Sequence, residues 1–201
     1  MFIATDANPD ALSETAARAS RKPSRGGRSN LICIAEPLEV IARELPAAAD
    51  RVTVILPWGS LLRGLVQPED TSLTQLHSLC APHACVEIVF SYDYKRDASE
   101  RAPLGLMNIH ETHVQRVLPE VYERMGLGVT SVERISQHEL GRYETTWAKR
   151  LAFGRQREIW GLRAVAQRPY SLTIENDPSS DISDFCSLVR MNSPIRVMER
   201  K

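Results

Sequence analysis

The sequence predicts an α/β protein on a mostly parallel sheet, and three observations carry that prediction. From Met1 to Phe90, short apolar or β-branched runs alternate with segments of helical period. One run, Val52-Thr53-Val54-Ile55-Leu56, has no charged position and suits a strand buried on both faces. Late in the chain, Val129–Ile135 and Arg157–Gln167 read as strands with no crossover helix that would force them parallel, so an antiparallel return is expected.

Taken in order, Met1–Thr5 is a short strand. Asp6-Ala7-Asn8-Pro9-Asp10 then supplies cap residues, with Asp6 or Asn8 at the N-cap and Pro9 in the first turn of a helix over Ala11–Ser20. Leu31–Ala35 is the next strand and Glu36–Glu44 a short helix. Pro57 ends the strand Val52–Leu56 because it has no N–H for the ladder. Ser60–Leu65 reads as helical. Leu73, Leu76 and Leu79 set a helix period over Thr71–Cys80, and Ala84–Phe90 is a fourth strand. Ser91–Pro103 is polar and reads as an active-site cover. Asn108–Met125 is helical with a break at Pro119, Gly126 and Gly128 stop it, and Glu139–Phe153 forms a further helix or pair of turns. Residues 169–201, rich in serine, aspartate and proline, read as a disordered tail or as short strands at Tyr170–Ile174 and Phe185–Met191. Residues 1–168 are therefore expected to form one domain.

The totals narrow the function classes. Lys plus Arg and Asp plus Glu both number 25, so the location of charge, not its sum, decides whether nucleic acid is a partner. The four cysteines have no CxxC spacing, so a disulfide framework is not expected, and a reducing, cytoplasmic compartment is. Cys33 and Cys85 lie in apolar runs and read as small buried residues. No apolar run reaches membrane-spanning length. The five histidines lack the company of spaced cysteines or carboxylates, so no metal site is expected.

Four stretches can carry chemistry. Asp6 closes a strand, where a carboxylate can accept from both hydroxyls of a ribose or simply cap a helix. Pro37-Leu38-Glu39 follows the next strand, where backbone and carboxylate can meet a purine edge, or where Glu39 merely favours a helix N-terminus. Trp58 stands after Pro57 at a strand's carboxyl end. It and Trp147 are either two walls of a slot for an unstacked base or two packing residues. Trp160 lies in a strand pattern and reads as core. Finally, residues 147–157 carry four cations (Lys149, Arg150, Arg155 and Arg157) and no acid, interleaved with apolar residues, which suits phosphate contact. The loop containing Arg25 and Arg28 is a second basic candidate.

Val54-Ile55-Leu56-Pro57-Trp58-Gly59-Ser60-Leu61-Leu62, together with Trp147-Ala148-Lys149-Arg150-Leu151-Ala152-Phe153-Gly154-Arg155, resembles one family. It is the 16S rRNA adenine-N1 methyltransferases of the kanamycin–apramycin aminoglycoside-resistance type, and Lys22-Pro23-Ser24-Arg25-Gly26-Gly27 is similar to theirs as well. The resemblance covers about residues 1–168. It implies a Rossmann-like, S-adenosylmethionine-dependent methyltransferase fold with a late antiparallel hairpin. It also implies Asp6, Leu38, Glu39, Pro57 and Trp58 on the cofactor side, and Trp58 and Trp147 around a flipped adenine with Glu39 nearby. Arg25, Arg28, Lys149, Arg150, Arg155 and Arg157 are implied on the RNA, the partner being 16S rRNA in the assembled 30S subunit and the enzyme a monomer without metal. N1 of adenine has an in-plane lone pair, so placement and exclusion of water matter more than a strong base. The resemblance starts at the family's second strand, so the sheet is expected to lack its first strand and the glycine-rich turn. The alternatives are an inactive or RNA-binding remnant, or a methyltransferase for another RNA or a small molecule.

Overall fold

The computed structural model describes residues 1–68, 70–98, 103–143, 148, 151, 157–167 and 195–197, with residues 70 and 195–197 described by backbone alone. The first half repeats strand and helix: β1 Phe2–Thr5, α1 Pro9–Ala19, β2 Leu31–Ile34, α2 Leu38–Glu44, β3 Ala49–Ile55, α3 Gly59–Val66, α4 Asp70–Leu79 and β4 Cys80–Phe90. A π-turn at His113–Val117 runs into α5 Leu118–Arg124, with Pro119 in its first turn, where its missing N–H does no harm. Then come β5 Leu127–Arg134, β6 Trp160–Ala166 and β7 Ile195–Val197. Of the helix expected over Glu139–Phe153, Glu139–Arg142 forms a 3-10 turn, and most of the remainder lies outside the described residues. The strand alternatives at Tyr170–Ile174 and Phe185–Met191 lie outside them too.

The seven strands among the described residues form one sheet in the order β2-β1-β7-β3-β4-β6-β5. β1 pairs parallel with β2, and β3 with β4. β6 runs antiparallel to both β4 and β5, which is the expected late return. β7, from the stretch beginning at 169, lies between β1 and β3 and runs parallel to both.

The core lies on both faces of the sheet. On one face Val52 and Val54 of β3 and Val86 and Ile88 of β4 meet Leu62, Leu65, Leu73, Leu76 and Leu118 from the helices. On the other, Ile55, Leu56 and Val89 meet Ile135, Leu140, Tyr143 and Ile159. Burial on both faces explains why the β3 run has no polar alternation. Each leucine fully buried in this way contributes roughly 1.5–3 kcal/mol. Trp160 is 4% exposed and belongs to the core, as its strand pattern implies. Cys33 and Cys85 are only half-buried, whereas Cys80, at the start of β4, is the buried thiol, and burial pushes its pKa up to about 12. Cys33 falls short because its strand, β2, is at the sheet's edge.

α3 and α4 approach so closely at Gly64 that a Cβ there would lie 2.1 Å from Ser72 Oγ and 2.6 Å from Ser72 Cβ. A Ser72 rotamer change cannot relieve the second contact. Gly64→Ala should therefore destabilise the fold by about 1–3 kcal/mol in urea unfolding, and Ser72→Gly in the same chain should restore most of the loss.

Candidate active site

The strands β1, β2 and β3 end on the same edge of the sheet, and the chain changes direction across that edge: β2 lies to one side of β1, and β3 and β4 to the other. In an open α/β sheet this switch point is where ligands bind. At the end of β1, Asp6 is 2% exposed, and its Oδ1 accepts from the Asn8 backbone N–H at 2.9 Å. Asn8 Oδ1 in turn accepts from Asp10 N at 3.0 Å, so Asn8, not Asp6, caps α1. Thr5 Oγ1 donates to the Glu36 carbonyl at 2.8 Å and ties the loop after β2 to the end of β1. Leu38 is buried there, while Glu39 is exposed in the first turn of α2.

The end of β3 is a strained elbow. Leu56 adopts φ +50 directly before a proline, a conformation unfavourable both for a branched side chain and for a residue preceding proline. Its N–H still donates to Val89 O at 2.6 Å. Gly59 follows at φ +64, where only glycine is unstrained. Between these two, Pro57 is buried and Trp58 becomes the N-cap of α3 with extended backbone. Such strain, of order 1–3 kcal/mol, persists where surrounding packing holds it, and it gathers at functional sites. Trp58 is half-buried and packs against the main core, so both readings of it hold in part: one portion is packing and the rest reaches solvent at the edge.

A cavity of about 420 Å³ opens among α2, α3 and α4, lined by Ala7, Pro37, Leu38 and Glu39 on one side and by Ser60, Leu61, Arg63 and Gly64 of α3 and Thr71, Ser72 and Gln75 of α4 on the other; Asp6, Pro57 and Trp58 stand outside its lining. The structure thus brings Leu38 and Glu39 together with the residue after Asp6 and the first turn of α3. It does not bring Arg25 and Arg28 to this edge. Both are exposed on the loop that joins α1 to β2, and that loop returns at the amino ends of the strands, where Phe2 N donates to Asn30 O. Trp147, Lys149, Arg150 and Arg155 lie outside the described residues.

Of the basic run expected on the RNA, Arg157 lies within the described residues, and there its guanidinium is ion-paired with Asp97, with side chains only 14% and 9% exposed. Asp97 Oδ2 also accepts from Asp93 N at 2.9 Å, and Asp93 Oδ1 accepts from the Lys95 and Arg96 amides, each at 3.0 Å. The Arg96 amide above all holds the Asp93 carboxyl below its usual value. Ser91, 5% exposed, donates to Glu158 O at 2.9 Å. The loop after β4, expected as a polar cover, is therefore tied over residues 91–97 to the chain just before β6. Only the Asp93-x-Lys95-Arg96-Asp97 turn pattern hinted at this; the partner Arg157 was sixty residues away. Among the described residues no three His, Cys, Asp or Glu side chains gather as a metal site would require, and no helix is long and apolar enough to cross a membrane.

The family profile described as NpmA, 16S rRNA (adenine(1408)-N(1))-methyltransferase, matches residues 1–166. The chain belongs to that family. A 16S rRNA (adenine(1408)-N(1))-methyltransferase of Escherichia coli is 28% identical over 163 residues, covering 79% of this chain and 73% of that protein. One from Streptoalloteichus hindustanus is 27% identical over 163 residues, covering 78% and 72%. Among solved structures, a tryptophan-to-alanine variant of the family's enzyme from Catenulisporales acidiphilia, with its cosubstrate SAM, superposes with TM-score 0.71 at 30% identity, over 88% of this chain and 77% of that one. The aminoglycoside resistance methyltransferase NpmB1 gives 0.66 at 36% identity, over 82% and 74%. The fold of this family member is thus the Rossmann-like methyltransferase fold.

Removing either partner of the Asp97–Arg157 pair leaves a mostly buried charge without compensation. Arg157→Met or Asp97→Asn should each destabilise the chain by about 3 kcal/mol in urea unfolding, and the double variant should lose less than the sum.

Proposed function

We propose that this chain transfers a methyl group from S-adenosylmethionine to N1 of the decoding-site adenine of 16S rRNA in the assembled small subunit, and thereby confers aminoglycoside resistance. One observation carries the reading: Asp6, the Leu38-Glu39 turn and the Pro57-Trp58 elbow converge on a single sheet edge, in a chain whose family match spans them all. Two features support a cofactor at this edge: the Asp6 carboxylate closes β1, and next to it, beginning at Ala7, lies a cavity within the usual range for small-molecule sites, walled by Pro37, Leu38 and Leu61 and edged by Glu39. Asp6 holds the ribose side, Leu38 packs on the purine, and Glu39 stands polar at the mouth.

S-adenosylmethionine, when bound, supplies an electrophilic methyl group on its sulfonium. The chain's own task is to place a nucleophile that is already available, since N1 of adenine carries an in-plane lone pair and needs no prior deprotonation. Trp58, half-buried two residues before Ser60 of the cavity lining, is the first wall of the base slot, and Trp147 is the second by its motif. A base held between two such faces is fixed in its plane, which orients N1 and keeps water from the reacting edge. Pro57 and the strained Leu56 hold Trp58 at that position. Lys149, Arg150 and Arg155 meet the phosphate backbone. Arg157 acts as a positioning residue, anchoring the loop over Ser91–Asp97. The enzyme works in the cytoplasm as a monomer and without metal.

Purified 30S subunits incubated with the chain and labelled S-adenosylmethionine should gain one methyl group, with a reverse-transcription stop at the decoding-site adenine. Trp58→Ala should lower turnover about 10- to 100-fold, the range expected for loss of one base-stacking face, while cofactor affinity measured by calorimetry changes about threefold or less. Cofactor binding without incorporation into 30S would point instead to another acceptor. Salt-dependent rRNA binding without cofactor binding would point to a remnant.

A further inference from the structure

Glu87 is the one charged residue in a run, Ala84–Phe90 of β4, that is otherwise apolar. It pairs in register with Thr53 of β3 and with Arg163 of β6, and it lies on the same face of β4 as Val89, two residues on. Val89 belongs to the second core, so Glu87 stands at the border of that core. No step of the methyl transfer uses this carboxylate. Its partners give it a place. Tyr143, 6% exposed, packs in the second core and donates its hydroxyl to Glu87 Oε1 at 2.9 Å. Arg142 donates to the same hydroxyl at 3.0 Å, with its guanidinium 5.0 Å from the centre of the Tyr143 ring. Arg163 Nε lies 3.8 Å from the same carboxylate oxygen. Burial above all pushes the Tyr143 hydroxyl pKa up, so the group stays protonated and donates.

The same core holds the two segments that carry the tryptophans. Ile55 and Leu56 belong to it and lead directly into Pro57-Trp58. Ala148, 0% exposed, belongs to it too, and it follows Trp147 directly in the chain. Neighbouring Cα atoms are ~3.8 Å apart, so the burial of Ala148 ties the backbone at 147 to the core that also holds the elbow. Leu151, three residues on and helical like Ala148, packs against the cluster, and its carbonyl accepts from Gln137 Nε2 at 2.9 Å. Before Tyr143 the chain is fixed as well: Ser136 N and Oγ donate to Glu139 Oε2 at 2.8 and 2.7 Å, and Tyr143 N donates to Leu140 O at 3.0 Å. A close-packed core transmits a displacement rather than absorbing it, so the spacing of the two segments follows from the side chains that fill this core.

We propose that Tyr143 and Glu87 are positioning residues for the base slot. The hydrogen bond between them sets how deeply Tyr143 sits in the second core, and through that core it sets the spacing of the Trp147-Ala148 segment from the Leu56–Trp58 elbow. The proposal rests on reading Trp58 and Trp147 as the two walls of that slot. Both residues act through the aromatic faces and not on the base itself.

Tyr143→Phe keeps the ring and removes the hydroxyl, so the core stays filled. With 30S subunits as acceptor it should lower kcat about 10- to 100-fold, the range for a reacting group displaced by about 1 Å, while cofactor affinity by calorimetry changes about threefold or less. Glu87→Ala should do the same, and Glu87→Gln, which keeps an acceptor for the hydroxyl, should recover most of that loss. In a chain already carrying Trp147→Ala, Tyr143→Phe should cost about twofold or less, because the wall it positions is gone. A full further loss in that background, or an equal fall in cofactor affinity, would overturn the proposal and leave Tyr143 as general packing. Amide exchange at Ala148 and Leu151 reads the same link without catalysis. Tyr143→Phe should speed it at least about tenfold while Val52–Ile55 stay protected, and unchanged exchange would overturn the proposal. A Trp147→Ala chain as active as its parent would instead refute the base-slot reading, and the proposal with it. A parent that transfers no methyl group would refute the proposed function, and the exchange arm would then decide by itself whether Tyr143 holds the segment.

Discussion

The parallel ladder at the centre of the sheet is the constraint on which the rest of the molecule depends. β1 and β3 do not pair with each other; each pairs with β7. The presence of this short strand therefore sets the distance of the β1–β2 pair from the β3–β4–β6–β5 group at two strand spacings, and its register sets their offset along the strands. Every distance across the candidate site inherits that spacing, because Asp6 belongs to one group and Trp58 to the other. Parallel pairing also requires all three strands to start at one edge, and the antiparallel β6 meets that requirement by delivering the chain to that edge.

The site is held by strain on one side and by polar links on the others. At the β3 end, Leu56 at positive φ turns the chain out of the ladder before Pro57, and the packing of Leu56, Ile55 and Val89 in the second core keeps it there. At the β2 end, the Thr5–Glu36 hydrogen bond joins two loops that both border the cavity. At the β4 end, Asp97 and Arg157 bind the following loop to the approach of β6. A pair this buried does more to fix one geometry than to add stability, since much of its attraction offsets the loss of hydration. Membership of the 16S rRNA (adenine(1408)-N(1))-methyltransferase family gives this scaffold its context.

Much of this was legible in the linear pattern. The apolar run at Val52–Leu56, the leucine period at 73, 76 and 79, and the cap residues Asn8 and Pro9 each reflect interactions with near neighbours, and each formed as expected. The elbow residues Pro57 and Trp58 were legible too, as was the antiparallel return. The pairing of Arg157 was not legible because its partner, Asp97, lies sixty residues away in a loop of the other half of the chain. Cys80 was missed as the buried thiol because it sits at a helix–strand junction rather than inside an apolar run.

Local order along the chain was enough to define the strands, the helices and the motif residues, because hydrophobic period, capping and proline geometry act over a few residues. Which strand fills the centre, which cation is engaged and how far Asp6 stands from Trp58 were decided by long-range pairing. Three residues such as Ile195-Arg196-Val197 are too short to announce a central strand by pattern. Their place in the sheet is read only from their pairing with β1 and β3.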